Sequence, residues 1–67
     1  METDKILIRV DVRDVDYINK IIEAYDGLGI VHTVNSREGI VAVHVTPDTA
    51  PDVLAILKHL RVNIEFL

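Results

Sequence analysis

The first apolar run of the chain alternates with a period of two. Between Lys5 and Val12, in the run KILIRVDV, β-branched residues occupy every second position: Ile6, Ile8, Val10 and Val12. Such alternation indicates a β-strand with one buried face, because successive side chains of a strand point to opposite sides. Leu7, Arg9 and Asp11 then belong to the other face.

From Asp14 the period changes to three or four residues, which predicts an amphipathic helix. The apolar positions of this helix are Val15, Ile18, Ile22 and Tyr25. Asp14 fits the N-cap position, and Gly27 fits the glycine that often follows a helix C-terminus.

Two β-rich runs follow, Ile30–Val34 and Ile40–Val45. The sequence between them, Asn-Ser-Arg-Glu-Gly, has the composition of a hairpin loop. We therefore expect two antiparallel strands joined by five residues.

The last third of the chain predicts a helix and a final strand. The segment TPDTAPDVLAILKHLR carries an apolar stripe at Val53, Ile56, Leu57 and Leu60. Thr49 and Asp52 resemble a capping box, and Pro51 fits the first turn. Val62–Leu67 alternates again, with Val62, Ile64 and Phe66 expected to face inwards.

The predicted order of elements is βαββαβ, which indicates an α+β fold of the ferredoxin-like plait type. Right-handed crossovers place both helices on one face of a four-stranded antiparallel sheet. A chain of 67 residues is long enough for one such domain, spanning residues 1–67, and too short for two. The second face of the sheet is left uncovered.

The hairpin register decides which residues share this uncovered face. Pairing Val34 with Ile40 also pairs His32 with Ala42 and Ile30 with His44. The residues then expected on the uncovered face are Leu7, Arg9, Asp11, Ile30, His32, Val34, Ile40, Ala42, His44, Asn63, Glu65 and Leu67. A loop of four residues would pair Val34 with Gly39 instead and place the two histidines on opposite faces.

Composition favours self-association. Hydrophobic residues make up 49% of the chain, the mean hydropathy is +0.27, and there is no cysteine to supply a disulfide. A domain this small buries only about 60% of its unfolded surface, so oligomerisation is a common source of additional stability. We predict a homo-oligomer, dimer or higher, with an interface at Leu7, Ile30, His32, Val34, Ile40, Ala42, His44 and Leu67. The alternative is that these apolar residues are scattered on a small surface and have no role.

Charge and hydropathy exclude some partners. The formal net charge is −4, which gives no attraction to nucleic acid or to anionic lipid. No apolar run approaches the roughly 20 residues that cross a bilayer, and the first residues do not resemble a signal peptide. We therefore expect a cytoplasmic protein without a nucleic-acid or membrane partner.

Two groups of residues are candidates for binding chemistry. His32 and His44, near Asp11 or Glu65, are of the residue types that hold divalent metals. The alternatives are polar residues that pair with acids at the sheet rim, or a pH-sensitive interface.

The second group follows the first strand and consists of Asp11, Arg13, Asp14 and Asp16. It could bind a cation or a basic group of a small-molecule ligand, whereas acids at a helix start also simply complement the helix dipole. The sequence has no nucleophile motif and no phosphate-binding loop, so we predict no enzyme, no catalytic residue and no cofactor.

The βαββαβ order with β-branched strands resembles the ACT-type regulatory domains. These are similar in length, associate through their sheets, and bind amino acids near the first strand-to-helix junction. That junction commonly carries Pro-Gly in ACT domains and is Arg13-Asp14-Val15 here. The run YINKIIEAYDGLGIVHTVNSREGIVAVHVTPD also resembles a small bacterial family of stand-alone domains of unknown function. The second resemblance implies no activity. The ACT resemblance implies a self-associating binding or regulatory module, and the alternative is a small-molecule or metal sensor that uses His32 and His44 or the Asp11–Asp16 junction.

Overall fold

The computed structural model describes residues 4–25 and 27–67. Four strands and two helices follow one another in the order βαββαβ, with a short 3₁₀ turn at Val12–Asp14 before the first helix. The elements are β1 (Asp4–Arg9), α1 (Val15–Ala24), β2 (Ile30–Asn35), β3 (Ile40–Val45), α2 (Ala50–His59) and β4 (Glu65–Phe66).

The strands form one antiparallel sheet in the order β2-β3-β1-β4. This is the strand order of the ferredoxin-like plait, so the α+β prediction is confirmed. β3 and β1 lie in the centre, and β2 and β4 are the edges. Each helix connects two strands that are not neighbours in the sheet.

The core lies between the helices and one face of the sheet. Its buried members come from both helices, from alternate positions of β3, and from alternate positions in and just after β1, as the hydrophobic pattern predicts. They are Ile8, Val10, Ile18, Ile22, Val41, Val43, Val45, Val53 and Leu57. Since both helices contribute to this one cluster, they cover the same face and leave the other uncovered.

The first strand is shorter than predicted. β1 ends at Arg9, and Val12 is exposed in the 3₁₀ turn instead of facing the core. The Asp11 carboxylate accepts the backbone N–H of Arg13, and the N–H of Asp14 donates to the Asp11 carbonyl at 2.8 Å. These bonds turn the backbone before Val12 can continue the strand. Asp14 occupies the N-cap of α1 as predicted, but its side chain makes no capping hydrogen bond.

The hairpin confirms most of the predicted register and corrects its end. Ile30 pairs with His44 and His32 with Ala42, as predicted. Ile40, however, pairs with Asn35, so the predicted pairing of Val34 with Ile40 is wrong. Val34 is the extra residue of a β-bulge, which lengthens β2 by one residue.

The cause of the bulge is the side chain of Asn35. Its Oδ1 atom accepts the backbone N–H groups of Arg37 at 3.1 Å and of Glu38 at 3.2 Å. Asparagine commonly starts turns in this way, and the turn leaves a four-residue loop, residues 36–39.

The C-terminal elements are also shorter than predicted. Thr49 is the N-cap of α2, but its hydroxyl group bonds with Thr46 rather than with the helix, so the predicted capping box is absent. Val62 and Ile64 pack against the core as predicted although they precede β4. Phe66 pairs with Ile8 but stays exposed, because β4 is an edge strand.

Candidate functional site

The uncovered face of the sheet consists of three rows of cross-strand neighbours. Leu67 joins the second row because its N–H donates to the Leu7 carbonyl at 2.9 Å. The rows are Ile30, His44 and Lys5; then His32, Ala42, Leu7 and Leu67; and then Asn35, Ile40, Arg9 and Glu65. We call these residues the open face.

The open face exposes several large apolar side chains. Ile30 is 72% exposed, Leu67 56% and Leu7 38%. Val34 is exposed too, but as the bulge residue it has no cross-strand partner. Ala42 is only 1% exposed, so it lies beneath its larger neighbours and offers almost no contact surface of its own. Ile40 is half-buried.

His32 and His44 are diagonal neighbours on the open face. Their ring centroids lie 6.2 Å apart, and the ring planes are tilted by 58°. The acids predicted to join them do not, because Glu65 accepts a hydrogen bond from Arg9 at 2.9 Å and Asp11 lies beyond the end of β1. Within residues 4–25 and 27–67, no group of three histidine, cysteine or acidic residues could hold a metal ion.

Asp11 and Asn63, also expected on the open face, lie outside the paired strands. Together with Arg9, Val10, Ile64 and Glu65 they line a shallow depression of about 510 Å³. This depression joins the end of β1 to the segment that precedes β4.

Of the four candidate residues at the strand-to-helix junction, only Asp11 and Arg13 are joined through their side chains. Arg13 donates from Nε to Asp11 Oδ1 at 3.2 Å and from Nη2 to Asp11 Oδ2 at 3.3 Å. These side-chain bonds, followed by the one from the Arg13 backbone N–H, lower the pKa of Asp11, and the pair raises the pKa of Arg13. Asp14 and Asp16 lie at the start of α1, where acids complement the helix dipole.

The titration of Asp11 provides a test of this pair. We expect its carboxyl group to titrate below 3.8, the ordinary pKa, and to move back towards 3.8 in Arg13→Gln. Because folding lowers this pKa, the ionised Asp11 carboxylate stabilises the folded state. This stabilisation is complete above about pH 3.8 and is lost as the pH falls through the lowered pKa. Carboxyl ¹³C NMR measures both midpoints. Equal midpoints in the two proteins would show that the Arg13 side chain has no effect.

A cleft lies where α1 ends and β2 begins, next to the first row of the open face. Its volume is about 450 Å³. The residues that line it are Ile22, Glu23, Tyr25, Gly27, Leu28, Gly29, Ile30, His44, Val45 and Thr46. We call this space the α1–β2 cleft. Of these residues, only Ile30 and His44 are candidate site residues by sequence pattern.

One local signal in the sequence points to this cleft. Tyr25 continues the apolar stripe of α1, but it is the C-cap residue and remains exposed. A large aromatic residue at a helix end, followed closely by Gly27 and Gly29, indicates a loop that lies close to neighbouring backbone. The volume beside that loop depends on its path, which periodicity does not specify.

No helix in the described part of the chain is long and apolar enough to cross a membrane.

Comparison with known proteins gives one family. No curated protein and no solved structure matches the chain, so the resemblance to ACT-type domains stays a prediction. Residues 8–64 match the family model DUF4911, which is described as a domain of unknown function. This match agrees with the predicted resemblance to a small domain of unknown function, and the chain belongs to the DUF4911 family.

Proposed function

We propose that this DUF4911 chain is a non-catalytic binding module that self-associates through its open face. The observation that carries this proposal is the group of exposed apolar side chains on that face, above all Ile30, Leu67 and Leu7. Leu7 and Leu67 are direct neighbours in one row of this face, and adjoining exposed apolar side chains indicate an interaction site, whereas single ones do not. The ACT-like resemblance adds a regulatory role to this proposal.

The charges of the open face suit a second copy of the same chain. Lys5 and Arg9 carry positive charge, and Glu65 is paired with Arg9 at 2.9 Å. In a two-fold pair each subunit presents the same surface, so that surface must complement itself. A face with an apolar middle and charges of both signs at its borders meets this requirement.

The size of the face limits the area that a pair can bury. Four strands about 4.8 Å apart, with a rise of about 3.3 Å over six residues, cover at most about 400 Å² per copy. Two copies would bury about 800 Å², below the roughly 1,200–2,000 Å² of stable complexes. We therefore expect a weak dimer whose population depends on protein concentration.

Sedimentation equilibrium from about 10 μM to about 1 mM tests this dimer, since weak pairs dissociate within that range. The wild-type mass should rise from monomer towards dimer. Leu7→Lys and Ile30→Lys should stay monomeric, because each places a charge in the apolar part of the face. Ile30→Lys changes a highly exposed position, so it should fold normally even if Leu7→Lys does not.

Tyr17→Lys is the matched control. It introduces the same charge at an exposed apolar residue of α1, on the helix side of the sheet. It should dimerise like the wild type. The proposal fails if the wild type is monomeric throughout, or if both open-face variants keep the wild-type concentration dependence.

The second candidate function is a small-molecule or metal sensor. It is favoured by the 6.2 Å approach of the His32 and His44 rings, which a second copy could extend to four imidazoles. Native mass spectra of protein purified without a metal resin would show a retained ion as added mass. Arg13 occupies the carboxylate of Asp11, which leaves the strand-to-helix junction less available to a ligand.

A further inference from the structure

We infer that the α1–β2 cleft binds a small organic cation, namely an amine carried on an aromatic or branched aliphatic body. This inference concerns a single subunit and is independent of dimerisation. The family description assigns no site to this cleft, and most of its lining residues, such as Glu23, Tyr25 and Leu28, lie outside the proposed interface, whereas Ile30 and His44 border both.

The walls of the cleft are mostly apolar. Ile22 and Val45 belong to the buried core, and Leu28 packs against that core. A volume of about 450 Å³ falls within the roughly 300–1,000 Å³ of small-molecule sites, which combine apolar walls with a few polar groups. The body of the ligand is therefore apolar.

The back of the cleft is held in place by a close contact of the backbone. A Cβ atom on Gly29 would lie 3.1 Å from the carbonyl oxygen of His44 and 3.2 Å from a side-chain carbon of Val43. The loop thus lies directly against β3, and a hydrogen bond from the N–H of Leu28 to the carbonyl of Tyr25, 3.1 Å long, tightens its start. The cleft is formed before any ligand arrives.

The polar groups of the cleft select a positive charge. Glu23 is the one acidic residue among the described lining residues, and no lysine or arginine is among them. The last turn of α1 has no basic residue, so the negative end of the helix dipole is not offset there. Tyr25 adds an aromatic ring, whose face attracts cations. His44 contributes an imidazole, which can accept or donate a hydrogen bond.

Three probes of the same shape and different charge test this site: tryptamine, tryptophol and indole-3-acetate. The chain has no tryptophan, so excitation of the indole reports the probe alone by fluorescence anisotropy. At pH 7.5 tryptamine should bind with a dissociation constant in roughly the millimolar range, as expected for a ligand of this size. It should bind about fivefold more tightly than neutral tryptophol, and the anion should bind most weakly.

Two variants locate the binding. Glu23→Gln should lower the affinity for tryptamine towards that for tryptophol, whereas Glu38→Gln, in the β2–β3 loop, should leave it unchanged. Leu28→Ala should weaken tryptamine and tryptophol alike. Amide shifts in ¹⁵N NMR should concentrate at Gly27, Gly29 and Thr46.

The site is wrong if tryptamine and tryptophol bind equally, if Glu23→Gln has no effect, or if the amide shifts fall elsewhere on the chain. Repeating the titration with Leu7→Lys separates this outcome from the proposed dimer. If tryptamine binds this monomeric variant as it binds the wild type, the cleft functions without self-association. Loss of binding in a folded Leu7→Lys chain would contradict a single-subunit site.

Discussion

Replacing Gly39 with alanine is expected to remove most of the protein's free energy of unfolding at 25 °C. Gly39 has φ +69°, a conformation that costs other residues about 1–2 kcal/mol. A Cβ atom there would also lie 1.9 Å from the carbonyl oxygen of Val10, so the backbone would have to move. That movement disturbs the bond from the Val10 N–H to the Gly39 carbonyl, 2.9 Å long, which continues the pairing of β1 with β3. We expect a total loss above about 3 kcal/mol, most of the stability of so small a domain.

Urea unfolding followed by circular dichroism measures this loss, and Gly27→Ala is the matched control. Gly27 has a similar φ of +82°, but a Cβ atom there would have no neighbour within 4 Å. It should cost only about 1 kcal/mol, the strain of the backbone conformation alone. If the two variants lose equal stability, the close approach of Gly39 to Val10 contributes nothing to the loss in free energy of unfolding.

Ile18→Ala is expected to have the second large effect. Ile18 is 0% exposed and belongs to the core cluster between the helices and the sheet. Truncating a buried isoleucine removes its burial energy and leaves a cavity, at a cost of about 2–5 kcal/mol. The midpoint of urea unfolding should fall accordingly, with little change in the slope of the transition.

Ile30→Ala makes the same chemical change at a position that is 72% exposed. Measured in dilute protein, where we expect no dimer, it should alter stability by no more than about 0.5 kcal/mol. A loss as large as that of Ile18→Ala would contradict the exposed position of Ile30 on β2.

The elements that periodicity defines are predicted well. β3 has the predicted bounds, and the core positions of α1 and β1, such as Ile18 and Ile8, are buried as expected. The positions predicted for Val12 and Val34 are wrong because side-chain hydrogen bonds determine them. The carboxylate of Asp11 ends β1, and the amide of Asn35 produces the bulge. Such bonds compete locally with strand pairing, and a period-two hydrophobic pattern does not predict them.

The two candidate sites differ in how far the sequence predicts them. The open face follows from strand parity, and the hairpin register alone places His32 and His44 on the same side of the sheet. The α1–β2 cleft depends on the path of a glycine-containing loop and on the exposed position of Tyr25 at the end of α1. No periodic pattern governs that path, and the volume beside it therefore cannot be derived from the sequence.

The bulge at Val34 also affects how well the edge of the sheet could pair with a strand of another chain. β2 is an edge strand of six residues that contains no lysine, acid or proline, the residues that usually protect such edges. Its regular pairing with β3 runs only from Ile30 to Thr33 before the bulge interrupts it. A strand of another chain could therefore pair regularly with the backbone N–H and C=O groups of this edge over only a short stretch. One additional residue thus gives the protein a protection against fibrous assembly that its edge side chains do not provide.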